Sequence, residues 1–234
     1  MERIHKIVYK KIMMYYVFMI ILAIDSSQKD LSLSLKVDEN IITKTYQKDG
    51  KHSEIFLEVV NEILDKNSMR VSNLSGILFN KGPASFTGTR VAASSLQAIG
   101  YSLNIPVIGI SSLEVMSHVY SIDSNEIMFD CAKYAYGDKY FTASFEKTEK
   151  LIQIKDTELG DIEMIDTSHK KHLIINRELS KYLQKKSLPL TLNNTVLPRE
   201  TNSEDLISFA EKYINLCGEF NLSDTLPDYA NHEI

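Results

Sequence analysis

Along this chain the hydrophobic residues first run solid, then alternate, then recur at helical spacing. Ile20 to Ile24 is fully apolar, the signature of a central strand buried on both faces, whereas Leu31-Ser-Leu-Ser-Leu-Lys-Val37 alternates strictly and predicts a strand with one wetter face. Asp25 to Asp30 (DSSQKD) supplies the turn between them. Ile41 to Gln47 is a third β-rich run, closed by Lys48-Asp49-Gly50, whose Asp-Gly is a strong turn signal. The three runs predict an antiparallel meander.

The period then changes. Ser53 and Glu54 open a helix to about Lys66, Leu74 to Phe79 predicts a strand, Thr87 to Asn104 a helix, and Pro106 to Ile110 another strand. A further helix, capped by Ser112, runs to about Tyr120. A meander continued by such alternation predicts a layered α/β fold whose later strands are parallel. In the second half, Phe129 to Phe145 predicts a hairpin turning near Gly137-Asp138. Glu178 to Lys186 and Glu204 to Leu216 predict helices, the latter opened by Asn202 or Ser203 with Glu204 and Asp205 in its first turn. No Gly-, Ser- or Pro-rich linker separates the halves, so the expected organisation is an extension over residues 1–18, a first lobe over 19–121 and a second over 122–234.

Composition narrows the function classes. The 234 residues are 44% hydrophobic, enough for a sizeable core, and the formal net charge of −5 argues against a broad nucleic-acid surface, which needs clustered Lys and Arg. Cys131 and Cys217 lie far apart without metal or disulfide spacing, which fits a reducing cytoplasm. Arg3, Lys6, Lys10 and Lys11 precede the apolar run Ile12 to Ile24, the order of a signal peptide. That run is shorter than the roughly 20 residues a membrane helix requires, and no small-x-small cleavage site precedes Asp25. The simpler expectation is a folded domain starting at Met19.

Residues 80 to 90 (NKGPASFTGTR) pose the main chemical question, because a glycine loop between a strand and a helix is where phosphate binds. The P-loop pattern G-x-x-x-x-G-K-[ST] is absent: Gly82 and Gly88 stand six apart, and Thr89-Arg90 follow. The expectation is a tight turn into a helix that Ser85 or Thr87 caps.

Four blocks, Ile21-Leu-Ala-Ile-Asp-Ser-Ser27, His52-Ser-Glu54, Lys81 to Arg90, and Asn104-Ile-Pro-Val-Ile-Gly-Ile-Ser-Ser-Leu-Glu114, resemble the TsaB (YeaZ) family in order and spacing. The likeness covers roughly residues 19 to 116 well. It implies an α/β, actin/Hsp70-like (ASKHA) two-lobed fold with mixed sheets flanked by helices. It also implies a non-catalytic role in bacterial synthesis of threonylcarbamoyladenosine in tRNA, beside the catalytic paralogue TsaD as a heterodimer and the ATPase TsaE. Homodimerisation of the isolated chain, contact with tRNA only through the complex, no membrane and a cytoplasmic location complete the expectation. The paralogue's helix carries His-x-x-x-His, which places two imidazoles on one face for a metal. Ser112 and Met116 occupy the matching positions. Of the fold's nucleotide-binding turns only Asp25-Ser26-Ser27 has a remnant, so no catalytic residue, cofactor or metal is expected. The departures are Ala84 where the family has Gly, Asp130-Cys131-Ala132-Lys133 in place of Asp-Ala-Arg, and Pro227-Asp-Tyr229 without the following Leu-Arg.

The partner surface is expected on two helices. At ~100° per residue, Ala92, Leu96, Ile99 and Leu103 form one stripe for the chain's own sheet. Thr87, Val91, Ser94 and Ala98 form a second, small-sided and uncharged stripe roughly 130° away. The helix at 53–66 carries more apolar residues than one buried stripe requires, and Ile55, Phe56, Val59 and Ile63 are assigned to the same interface. Three alternatives stand beside this reading. A phosphotransferase of the same fold lacks its second phosphate turn, a metal-dependent peptidase lacks its His pair, and a secreted binding domain rests on the first 24 residues alone.

Overall fold

A computed structural model of the chain describes residues 19–28, 30–47, 52–83, 86–147, 151–153, 157–165, 172–187, 195–197, 199–214 and 221–226. The antiparallel meander is there: β1 (Ile20–Asp25) pairs with β2 (Leu31–Val37), which pairs with β3 (Asn40–Tyr46). Helix α1 (His52–Lys66) leads to β4 (Gly76–Gly82), helix α2 (Phe86–Leu103) to β5 (Val107–Ser111), and β4 lies parallel to both β1 and β5. The first sheet therefore runs β3-β2-β1-β4-β5, with the apolar β1 at its centre.

Strand alternation divides the core of this sheet. Leu22, Ile24, Leu33, Leu35, Ile77 and Phe79 meet α1 and α2 on one face, while Ile21, Ala23, Leu78 and Ile110 meet helix α5 (Ser203–Tyr213) on the other. Helix α2 ends at Asn104, whose φ of 52° lies in the left-handed region; the Ile105 N–H returns to the Gly100 carbonyl at 3.1 Å and closes the last turn. Thr87 falls inside the first turn of α2 rather than at its cap, and Ser85 lies outside the described residues.

The serine face of β2 is not wet. Ser32, Ser34 and Lys36 are buried beneath α5, where Ser34 shares its hydroxyl with Thr43 and Ser203, Ser32 accepts the Ser203 N–H at 2.8 Å, and Lys36 pairs with Glu211 at 2.8 Å. Polar alternation here marks a hydrogen-bonded helix seat, which a pattern of hydrophobicity alone cannot tell from solvent.

Helix α3 (Ser112–Asp123) follows β5 and is capped one residue earlier than the sequence indicates. Ser111 accepts the Leu113 N–H and Glu114 returns to the Ser111 N–H at 2.8 Å, a capping box, which leaves the Ser112 hydroxyl for another use. Beyond it, the hairpin β6 (Met128–Tyr134) and β7 (Lys139–Lys147) turns at Gly137, whose φ is +55°. Short strands β8 (Leu151–Gln153) and β9 (Glu158–Asp161) both pair with β7. A Cβ at Gly160 would meet the Tyr140 ring at 2.8 Å, so a larger residue there would have to displace that ring. Strand β10 (His172–Ile175) lies parallel to β6, helix α4 (Arg177–Lys185) packs on β6, and β11 (Thr195–Val196) closes the order β11-β10-β6-β7-β8. Two mixed sheets flanked by helices make an α/β, actin-like architecture.

Candidate functional site

Two places gather the residues singled out by sequence: the outer side of α1 and α2, and a polar cluster where the two sheets meet.

On α1 the structure separates the predicted interface residues. Phe56, Val59 and Ile63 are buried and belong to the chain's own core beneath the helix, together with Val60 and Leu64. Ile55 is half-buried against the same core. A wide apolar stripe is what a helix seated between a sheet and a second helix needs, and α1 contacts both β2 and α2. Leu57 remains outside at 55% exposure. At ~100° per residue it lies on the flank opposite Glu62, whose partner Lys44 is on β3, and so faces the α2 side.

Helix α2 buries one side and exposes another. Ala92 and Leu96 are buried and Ile99 packs on the same core, whereas Val91 is half-buried and Ser94 and Ala98 are exposed. Ser94 turns its hydroxyl back to the Arg90 carbonyl at 2.9 Å, which reduces the polarity it shows outward. Across its 18 residues α2 carries a single charged side chain, Arg90, whereas an ordinary solvent-facing helix surface is studded with charge. The short 3-10 turn Leu222–Thr225 borders this helix through Gln97, which donates to the Thr225 hydroxyl at 2.9 Å. The side chain of Thr87 lies outside the described residues.

The polar cluster starts at the remnant turn. Asp25, fully buried at the end of β1, accepts the Ser27 N–H at 2.8 Å and the Asn80 amide at 3.2 Å. Asn80, at the end of β4, accepts the Gly82 N–H at 3.1 Å and the Ser112 hydroxyl at 2.7 Å. From the second sheet, Lys133 of β6 donates to Ser112 Oγ at 3.2 Å and to the Ser27 carbonyl at 3.4 Å. Its side chain is 1% exposed; burial pushes its ammonium below the usual lysine range, and the negative charges of Asp25 and Glu178 oppose that push. The opening residues of the glycine loop thus serve a side-chain network: Asn80 holds the loop's own Gly82 N–H and reaches α3.

Sequence reasoning missed Asn80 and the inward aim of Lys133. Signals existed for both: Asn80 interrupts the apolar run of β4, and Lys133 continues the inward alternation Phe129, Cys131 of β6.

Other side chains able to ligate or titrate, and Met116 beside them, are accounted for by packing. Met116 is buried in the core between α3 and the second sheet. His118 sits between the Phe209 and Tyr213 rings and bonds Ser208 at 2.9 Å; burial foremost, then the Lys212 charge, lowers its pKa. His172 bonds Tyr120 and lies 3.8 Å from Glu126, while its sequence neighbour His169 lies outside the described residues. Cys131 is fully buried, and burial raises its thiol well above the usual range. Among the described residues no three His, Cys, Asp or Glu side chains gather as metal ligands, and no helix is long and apolar enough to cross a membrane.

Comparison with known proteins agrees with this architecture. Residues 44–131 match the family model of TsaD, tRNA N6-adenosine threonylcarbamoyltransferase. The tRNA threonylcarbamoyladenosine biosynthesis protein TsaB of Buchnera aphidicola subsp. Acyrthosiphon pisum is 27% identical over 201 residues, which cover 81% of this chain and 87% of that protein. TsaB of Bacillus subtilis is 36% identical over 101 residues, 42% of this chain and 44% of its own. Among solved structures, an uncharacterized Pseudomonas aeruginosa protein with similarity to peptidase YeaZ superposes with a TM-score of 0.75 at 19% identity, covering 92% of this chain and 100% of that one, which establishes the shared fold. The TsaD match runs from β3 into β6, while the match to the Buchnera TsaB extends over most of the chain, and the chain is accordingly similar to the TsaB (YeaZ) proteins, which are named for tRNA threonylcarbamoyladenosine biosynthesis, and shares the YeaZ fold.

Proposed function

We propose that this chain is a non-catalytic, cytoplasmic subunit of the threonylcarbamoyladenosine-synthesising complex, pairing with the catalytic paralogue TsaD through the outer side of α2 and the adjoining flank of α1. The observation that carries the reading is the outer surface of α2, where Val91, Ser94 and Ala98 form a small, uncharged stripe that leaves room for a partner helix to approach closely. Leu57 extends that surface from α1. Phe56, Val59 and Ile63 support it from below as core, without touching the partner. The same face accounts for self-pairing when the paralogue is absent, and the heterodimer would in turn support TsaE; tRNA would be met through the complex.

The absence of catalysis rests on residue chemistry. Ser112 and Met116 cannot replace an imidazole pair, and both are already engaged, Ser112 in the polar cluster and Met116 in the core. Reconstitution tests the proposal. The chain alone is expected to transfer no threonylcarbamoyl group to tRNA and to turn over no ATP, while addition of TsaD and TsaE restores modification and yields a stable complex with TsaD. Transfer by the chain without TsaD would contradict the proposal.

A further inference from the structure

A buried lysine with no direct carboxylate contact is costly unless something in its surroundings needs the charge. Lys133 is such a residue. It stands on the central hairpin of the second sheet, yet neither of its acceptors is on that sheet: the Ser27 carbonyl follows β1 of the first sheet, and the Ser112 hydroxyl is in the first turn of α3, which packs between the two. Ser112 passes the contact to Asn80, and Asn80 to Asp25, which is fully buried and carries the opposite charge. The chain Lys133, Ser112, Asn80, Asp25 therefore spans the seam between the sheets. Each member comes from a different element, and each of the two central groups both donates and accepts. Asp25 in turn fixes its own turn through the Ser27 N–H, and Ser27 is the residue whose carbonyl Lys133 grips, so the relay closes on itself.

We propose that Lys133 and Asp25 form a relayed charge tie that holds the second sheet against the first, so that the protein's own ammonium fills the seam between them. The tie acts through its charges rather than its volume. Removing the lysine leaves Asp25 as an uncompensated buried anion, and the ends of β1 and β4 and the start of α3 should open locally to hydrate it. Removing both charges relieves that need. This inference is independent of the partner surface on α2, which lies on the far side of the first sheet's α1 and α2 layer.

Hydrogen exchange on the full-length chain, read by mass spectrometry for Lys133→Met, Asp25→Asn and the double variant, tests it. Lys133→Met keeps the length and apolar stem of the side chain, and Asn at position 25 can still accept the Ser27 N–H. In Lys133→Met, amides at 25–28, 80–82 and 111–113 should exchange about 100-fold faster, while those of α1 and β7 stay within about 3-fold of the parent. In the double variant at least half of that logarithmic change should be recovered, a non-additivity expected of groups within one network. If Lys133→Met fails to fold while the double variant folds, the same coupling is shown in its extreme form. Uniform acceleration across both sheets, additive effects, unchanged exchange, or failure of both variants to fold would each overturn the proposal and leave Lys133 as packing alone.

Discussion

Helices α2 and α5 cover opposite faces of the same five-stranded sheet, and their outer surfaces differ. In 11 residues α5 carries four charged side chains, the exposed Glu204, Glu211 and Lys212 and the buried Asp205, and two of them are tied to fixed partners, Asp205 to Arg199 and Glu211 to Lys36. In 18 residues α2 carries one. Beneath α5 the seat joins an apolar patch, Ile21, Ala23, Leu78 and Ile110, to the hydrogen-bonded Ser32, Ser34 and Ser203; beneath α2 it is apolar throughout. Where α5 meets solvent it shows charge, whereas the exposed side of α2 shows almost none. A surface that omits charge along a long helix is better explained by a partner than by water.

The contrast can be broken at its base. Ile63→Ala removes a side chain with 0% exposure from beneath α1 and should cost about 2–5 kcal/mol in urea unfolding, whereas Leu57→Ala, on the exposed flank, should stay within about 0.5 kcal/mol. Equal losses would place Leu57 in the core and remove it from the partner surface.

On the α5 side the expected effect is smaller and polar in origin. Asp205 completes the capping box by accepting the Asn202 N–H at 2.9 Å and receives the Arg199 guanidinium. Asp205→Ala should cost about 1–3 kcal/mol in the same assay. Binding of TsaD, on the opposite face, should be unchanged; a loss of binding without a loss of stability would transfer the interface to α5.

The weakest effect is expected at His118, where α3 meets α5. Its folded pKa is depressed by burial and by Lys212, so between that value and the unfolded one the unfolded chain binds the extra proton. The stabilisation is therefore complete above the ordinary histidine range and declines as pH falls through the unfolded value near 6.5 toward the folded one. Thermal melts from pH 7.5 downward should show this decline, and His118→Gln should flatten the part that belongs to this residue. An identical pH slope in the variant would exclude it.

The elements of the first sheet were legible because its strands declare themselves over a few residues: the solid run of β1, the strict alternation of β2 and the Asp-Gly after β3 need no knowledge of the rest of the chain. The two stripes of α2 were legible for the same reason. What pairs distant residues was not. The seat of α5 joins Ser34 to Ser203, and the cross-sheet tie joins Lys133 to Ser27, contacts that no local period encodes. Hence β2 gave its alternation but not what covers its serine face. On α1, the width of the apolar stripe indicated burial without revealing that the chain's own core accounts for Phe56, Val59 and Ile63.

Ala98 gives the most direct test of the central claim, that the outer side of α2 binds the catalytic paralogue. Ala98 is exposed, so Ala98→Arg should leave the melting curve of the isolated chain unchanged. In the complex it would bury an unpaired guanidinium, a cost of about 3–5 kcal/mol, and calorimetric titration with TsaD should show affinity reduced by roughly a hundredfold or more. Parent-like binding by a folded Ala98→Arg variant would contradict the assignment of this face.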